Sequence, residues 1–173
     1  KILVLEQFSF INENSSSAGK SRQFRIQYET VPMAKMALVA EKQWLDFNRL
    51  SGEKLLDQVG SLWFGQPGIS SSEGSVEQAV SVMDQLGIQY DNLPTGEDIM
   101  ANSHFNNIPE DYYGFFQADG GILNIDATQR FLISELRKHE NITLKDFTQV
   151  ESIDSLETGD IKVMVADQKT GEA

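Results

Sequence analysis

Two arginines three residues apart, Arg22 and Arg25, follow a run of small polar residues, Ser15-Ser16-Ser17-Ala18-Gly19-Lys20-Ser21. A guanidinium binds carboxylate or phosphate through two parallel hydrogen bonds, so it orients a ligand as well as attracting its charge. Serine hydroxyls, and a glycine that lets backbone come close, suit the same kind of anionic ligand. On a helical or tightly turned stretch the two arginines would lie on one side. The segment therefore reads either as an anion-binding loop or as a solvated basic loop. A phosphate-binding P-loop does not fit. Gly19-Lys20-Ser21 has the right ending, but Asn14 stands where the earlier glycine belongs, and the preceding strand ends too far upstream.

Glu6 is the second candidate. It ends the apolar run Ile2-Leu3-Val4-Leu5, the pattern of a parallel strand buried on both faces. In dinucleotide-binding βαβ units an acid about 20 residues after a glycine fingerprint accepts from the ribose hydroxyls, since one carboxylate can take both donors. Strands also end in acids for no such reason, and the glycine loop is not among these residues, so both readings stand. His104 and His139 are far apart in the sequence, which points to structural roles and to no metal site. No carboxylate pair stands out for acid–base work. Trp44, Trp63 and the Phe115-Phe116 pair read as core packing.

The background sharpens the basic cluster. The 173 residues hold 14 Lys and Arg against 26 Asp and Glu, a net charge of −12. That balance argues against nucleic acid or an anionic membrane surface as partner, because basic patches supply most of that affinity. No apolar run reaches the roughly 18 residues of a membrane span, and no signal peptide is recognisable. With no cysteine, the chain has neither disulfides nor thiolate metal sites. These features point to the cytoplasm, and they set no oligomeric state. The chain opens on Lys1 rather than methionine and goes straight into a strand, which reads as a cut within a longer protein.

Periodicity supplies the elements that must position these residues. Met33, Met36, Ala37, Ala40, Trp44, Leu45 and Phe47 recur at helical spacing from Pro32 to near Gly52. Residues 55–64 read as one strand before the turn Gly65-Gln66-Pro67-Gly68. A helix over 75–86 is capped by Gly87. A short one opens at Thr95, and 112–116 is a strand leading to Gly120-Gly121. Asp126 is the expected N-cap of a helix over 127–139, and strands follow at 142–147, 150–153 and 161–166. This order predicts an α/β fold combined with α+β, two interleaved sheets rather than one doubly wound sheet.

Strand-acid, then Ser-Ser-x-Ala-Gly-Lys-Ser-Arg-x-x-Arg, then a helix carrying Trp44 resembles the amino-terminal part of monomeric sarcosine oxidases and related N-methyl amino acid oxidases, within the D-amino-acid-oxidase-like flavoproteins. Gly60-Ser61-Leu62-Trp63-Phe64-Gly65, Gly120-Gly121-Ile122-Leu123 and Lys145-Asp146-Phe147-Thr148-Gln149-Val150-Glu151 continue the likeness in order, over residues 2 to 166. The resemblance implies an FAD-binding Rossmann-like part interleaved with a mixed-sheet substrate domain, incomplete here. It divides the chain into residues 1–52 with the flavin and substrate loop, 53–123 of the substrate domain, and 124–173 returning to the FAD-binding domain.

The resemblance also assigns roles. Glu6 would hold the adenosine ribose. Ser16, Ser21 and Arg22 would lie along the flavin, with Arg22 near its ring. Arg25 would clamp the substrate carboxylate, and the Val150 backbone would meet the adenine edge. The implied reaction oxidises a small amine or amino acid, with O2 reduced to H2O2. Ala18 departs from the family, which often has a histidine there, and this bears on substrate type. The family's upstream glycine loop, downstream lysine and flavin-anchoring cysteine are not among these residues, so the isolated chain is expected to be inactive. The alternative is a non-catalytic anion- or nucleotide-binding module of flavoprotein ancestry.

Overall fold

The computed structural model describes residues 1–71 and 74–168. In chain order the elements begin with β1 (Ile2–Leu5), β2 (Ser21–Phe24), α1 (Val31–Ser51), β3 (Leu56–Asp57) and β4 (Ser61–Gly65). They continue with α2 (Val76–Leu86), β5 (Asp91–Leu93), α3 (Gly96–Ala101), β6 (Tyr113–Gln117) and β7 (Gly121–Asn124). The last are α4 (Ile125–Leu136), β8 (Ile142–Lys145), β9 (Thr148–Ser155) and β10 (Ile161–Asp167). They group into two compact units. Lys1–Ser21 joins the residues from Ile125 onward, and Arg22–Asn124 forms the other. Among the described residues no helix is long and apolar enough to cross a membrane.

In the first unit β1 pairs in parallel with β8, Ile2 opposite Ile142 through Leu5 opposite Lys145. The parallel strand is therefore present, but the expected burial on both faces is not: Ile2 is 53% and Leu3 54% exposed. Among the described residues the sheet has only these two strands, and the faces that carry Ile2 and Leu3 are left about half open. β9 and β10 form an antiparallel hairpin with a bulge at Met164/Val165. α4 starts one residue before Asp126, which thus sits inside the first turn instead of capping it. The Ile125 N–H bonds to the Lys20 carbonyl, so β7 runs into the helix without a separate cap residue.

The second unit holds two three-stranded sheets, ordered β2-β7-β3 and β4-β6-β5. The single strand expected over 55–64 is two short ones in different sheets. Gly60, at φ 86°, turns the chain between them, and its N–H bonds to the Gly120 carbonyl. A Cβ at Gly60 would fall 2.0 Å from the Phe116 ring, so the turn needs glycine for both backbone and space. α1 ends as expected, with Gly52 in the left-handed conformation. α2 carries a full capping box from Ser75 and Gln78 and closes on Gly87. The core gathers Phe24, Ile26, Ala34, Leu56, Val76, Ala79, Met83 and Phe115, with Trp44 and Trp63 packed against it. The two tryptophans and Phe115 thus have the packing roles expected of them.

Asn48 ties α1 to β3. Its Oδ1 accepts from the N–H groups of Leu55 and Leu56 at 2.8 and 2.9 Å, and its Nδ2 donates to the Leu56 carbonyl at 2.7 Å. Leu55 and Leu56 are buried, so Asn48→Ala leaves their amides without this partner. Its expected cost is about 2 kcal/mol in urea unfolding; a change under about 0.5 kcal/mol would show that water replaces the side chain.

Glu77 closes the Gly65–Gly68 turn onto α2 by accepting the Gly68 N–H at 2.7 Å. That bond, with the helix N-terminus around it, pulls the carboxyl from 4.5 down to about 2. A lowered folded-state pKa stabilises the fold fully above 4.5, and this contribution disappears as pH falls toward 2. Stability measured from pH 5 to 2 should therefore fall, and Glu77→Gln should flatten that stretch of the profile. An unchanged profile in the variant would assign the acid sensitivity to other carboxylates.

Candidate functional site

In the first unit, β1 and β8 both run toward Glu6, the end at which parallel sheets take ligands. The Glu6 N–H bonds to the Lys145 carbonyl at 3.0 Å, and its own carbonyl accepts from Thr148 at 2.8 Å. β9 thus starts against Glu6, and Val150 lies two residues along that strand. The junction is pinned by Phe147, whose φ of 52° is uncommon for a bulky residue. Its N–H bonds to the Phe8 carbonyl at 2.8 Å, and its carbonyl accepts from Gln168 at 2.7 Å. One Glu6 oxygen, Oε1, accepts from the Phe8 N–H at 2.8 Å. Its other oxygen has no partner among the described residues. Glu6 is thus a half-buried acid with one oxygen held by Phe8, at the carboxyl end of a parallel strand pair.

The serine-rich loop is built from its own side chains. Asn12 donates to the Ser9 carbonyl at 2.8 Å and accepts from the Asn14 N–H at 2.8 Å. A turn closes from Ala18 N–H to Ser15 O at 2.9 Å, with Gly19 at φ 99°. Ser16 and Ser21 are exposed. Ala18, Gly19 and Lys20, rather than the serines, border a cavity of about 240 Å³ against Asp126 and Gln129 of α4.

The second unit holds the arginines, and here the expected local structure is overturned. Ser21–Phe24 is a strand, neither helical nor tightly turned, so residues three apart leave on opposite faces and the two arginines do not share a side. The alternation continues past the strand. Phe24 and Ile26 enter the core, while Gln23, Arg25 and Gln27 line a cavity of about 250 Å³ with Ser61, Trp63 and Ser71. Arg22 is exposed; Arg25 is half-buried. The Arg25 guanidinium lies 4.9 Å from the Tyr28 ring centre and 5.6 Å from that of Trp63, within range of cation–π attraction to both. Trp63 is held in turn by Phe115 at 6.0 Å.

Below Arg25 is a buried polar cluster that sequence reasoning missed. The Gln27 amide donates to Ser61 Oγ at 2.6 Å, and Gln23 donates to the same oxygen at 3.2 Å. Gln27 is 1% and Ser61 5% exposed. The signal was the period-two pattern Gln23-x-Arg25-x-Gln27, which puts three polar side chains on one face of an extended segment. Tyr28, just beyond, was also overlooked.

No family model matches the chain. A Dictyostelium discoideum protein named as a bifunctional amine oxidase is 30% identical over 180 aligned positions, which take in all of this chain and 16% of that protein. A Caenorhabditis elegans protein named as a sarcosine oxidase is 27% identical over 138 positions, 80% of this chain and 34% of its own length. The solved structure of NikD, an unusual amino acid oxidase essential for nikkomycin biosynthesis, matches 95% of the chain with a TM-score of 0.84 and 29% identity, and 41% of NikD is covered. The chain is a homologue of these amine and amino acid oxidases.

The oxidase likeness read from Glu6, the serine loop and the arginines is thus matched by relatives bearing those names. The mixed architecture of parallel and antiparallel sheets is that of the oxidase fold. Glycine oxidase from Geobacillus kaustophilus shares the fold at a TM-score of 0.68 and 13% identity, over 94% of the chain. The chain spans less than half the length of each of these oxidases, from 16% to 44%.

Proposed function

We propose that the chain is a segment of an FAD-dependent oxidase acting on the C–N bond of a small amine or N-methyl amino acid, of which sarcosine is the type. The observation that carries this reading is Arg25, a half-buried guanidinium beside two aromatic rings at a cavity wall. A charge so placed has lost rotamer freedom before a ligand arrives, so less is lost when a carboxylate binds. The carboxylate end of the substrate pairs with Arg25, which sets the position of the neighbouring C–N bond by proximity and alignment. The homology to amine and amino acid oxidases supports the same substrate class.

On this reading residues 1–52 carry the loop that meets both flavin and substrate, 53–123 belong to the substrate side, and 124–173 return to the cofactor. Glu6 takes the adenosine ribose on its available oxygen, and the Val150 backbone meets the adenine edge. Ser16 and Ser21 lie along the cofactor. Arg22 supplies positive charge that favours the electron-rich reduced ring. Flavin held there would supply the redox chemistry, a two-electron oxidation of the amine to an imine with O2 as the acceptor and H2O2 as the product. The protein's own share is orientation and charge.

Sarcosine and FAD supplied under air should give no peroxide with the 173-residue chain alone, and peroxide with the longer reading frame that carries it. Arg25→Ala in that longer protein should lower kcat/KM by about a hundredfold or more, the scale of losing a charge-assisted pair to the substrate. A longer protein that retains FAD and sarcosine binding yet releases no peroxide would favour the non-catalytic module.

A further inference from the structure

We infer that Ser61 is a second ligand-binding donor beside Arg25, and that their cavity takes a carboxylate on two unlike groups, a guanidinium and a hydroxyl. The inference rests on Arg25 as the carboxylate clamp and adds a specificity residue to it.

A hydroxyl has one proton to give and two lone pairs to accept with. Ser61 Oγ accepts from Gln27 Nε2 at 2.6 Å and from Gln23 Nε2 at 3.2 Å, which uses both lone pairs. The Gln27 amide cannot reverse its role, because its Oε1 is taken by the Ile26 N–H at 3.2 Å; the nitrogen must face Ser61. The Gln23 amide is exposed and its Oε1 has no partner among the described residues, so that amide, turned over, is the one neighbour that can take the proton; in the arrangement present Ser61 is left as a donor.

Its surroundings say what that proton is for. Ser61 is buried, and it lines the same cavity of about 250 Å³ as Arg25. Ser61 and Trp63 lie two apart on β4 and so share a face, the one on which the Trp63 ring meets Arg25. A guanidinium has donors only. The hydroxyl and guanidinium thus offer donors, beside the flat apolar face of an indole. With only the exposed Gln23 amide to compete for it, the Ser61 proton can turn to a ligand oxygen when one binds. The matching ligand is small, anionic and rich in acceptors: a carboxylate with one oxygen toward each donor.

The test is a titration of the longer protein that carries this chain, with its FAD reduced under nitrogen so that neither probe turns over, using N-methylglycine and N-methylglycinamide and followed by tryptophan fluorescence. The wild type should prefer the carboxylate. Ser61→Ala should cut carboxylate affinity about tenfold and amide affinity much less, as for one hydrogen bond to a charged group. Ser61→Cys keeps a similar volume with a poor donor and should lose about as much, whereas Ser61→Thr should stay within about threefold of wild type. A merely structural serine would weaken both probes alike.

The outcomes separate the two claims. Loss of the preference in Arg25→Ala with no change in Ser61→Ala or Ser61→Cys overturns the Ser61 inference and leaves the clamp standing. An undiminished preference in Arg25→Ala removes the clamp itself. A wild type that does not prefer the carboxylate defeats both.

Discussion

Gln27 carries a primary amide with almost no access to water, and a buried amide must find partners or destabilise the fold by about 1–3 kcal/mol. It finds them in the Ile26 backbone and the Ser61 hydroxyl. Gln27 lies just beyond β2, in the first sheet of its unit, and Ser61 opens β4 in the second. One short hydrogen bond thus sets the distance and orientation between the extended segment that carries Arg25 and the strand that carries Trp63. Everything proposed for Arg25 depends on that spacing, because a guanidinium between two rings tolerates little displacement before it loses one of them.

The same economy appears at Glu6, by different means. There the backbone does the holding: Lys145, Phe8 and Thr148 each bond to Glu6 or its neighbours, and Phe147 adopts a left-handed conformation to make the junction possible. An uncommon backbone conformation costs free energy and persists where the surrounding bonds over-determine it. The acid is thereby presented at the end of a parallel strand pair with one oxygen committed and one available. Each unit therefore fixes its candidate groups internally, one through buried side-chain amides, the other through main-chain bonds at a strained turn.

Ser61 and Gln27 had no motif to mark them, and each alone is an ordinary polar residue in an apolar neighbourhood. Their importance comes from being 34 residues apart in sequence and 2.6 Å apart in space. The expectation that Arg22 and Arg25 share a side failed for a related reason. It took a spacing of three to mean one helical turn, whereas the chain there is a strand, in which odd separations alternate. The serine-rich stretch looked like the ligand-facing element, yet it is Ala18, Gly19 and Lys20 that border a cavity.

Local patterns were legible because their causes are local. Helical periodicity and the glycine stops at Gly52 and Gly87 follow from contacts within a few residues. The oxidase likeness was legible too, since it rests on residue order. The tertiary structure decided what depends on distant partners. The break at Gly60 arises because the Phe116 ring and the Gly120 carbonyl occupy the space beside it. The exposure of Ile2 and Leu3 depends on what packs against the faces of β1, which an apolar run by itself does not state. Whether Arg25 is a solvated surface charge or an oriented one depends on two rings, Tyr28 close in sequence and Trp63 far from it, and only folding brings the second within reach.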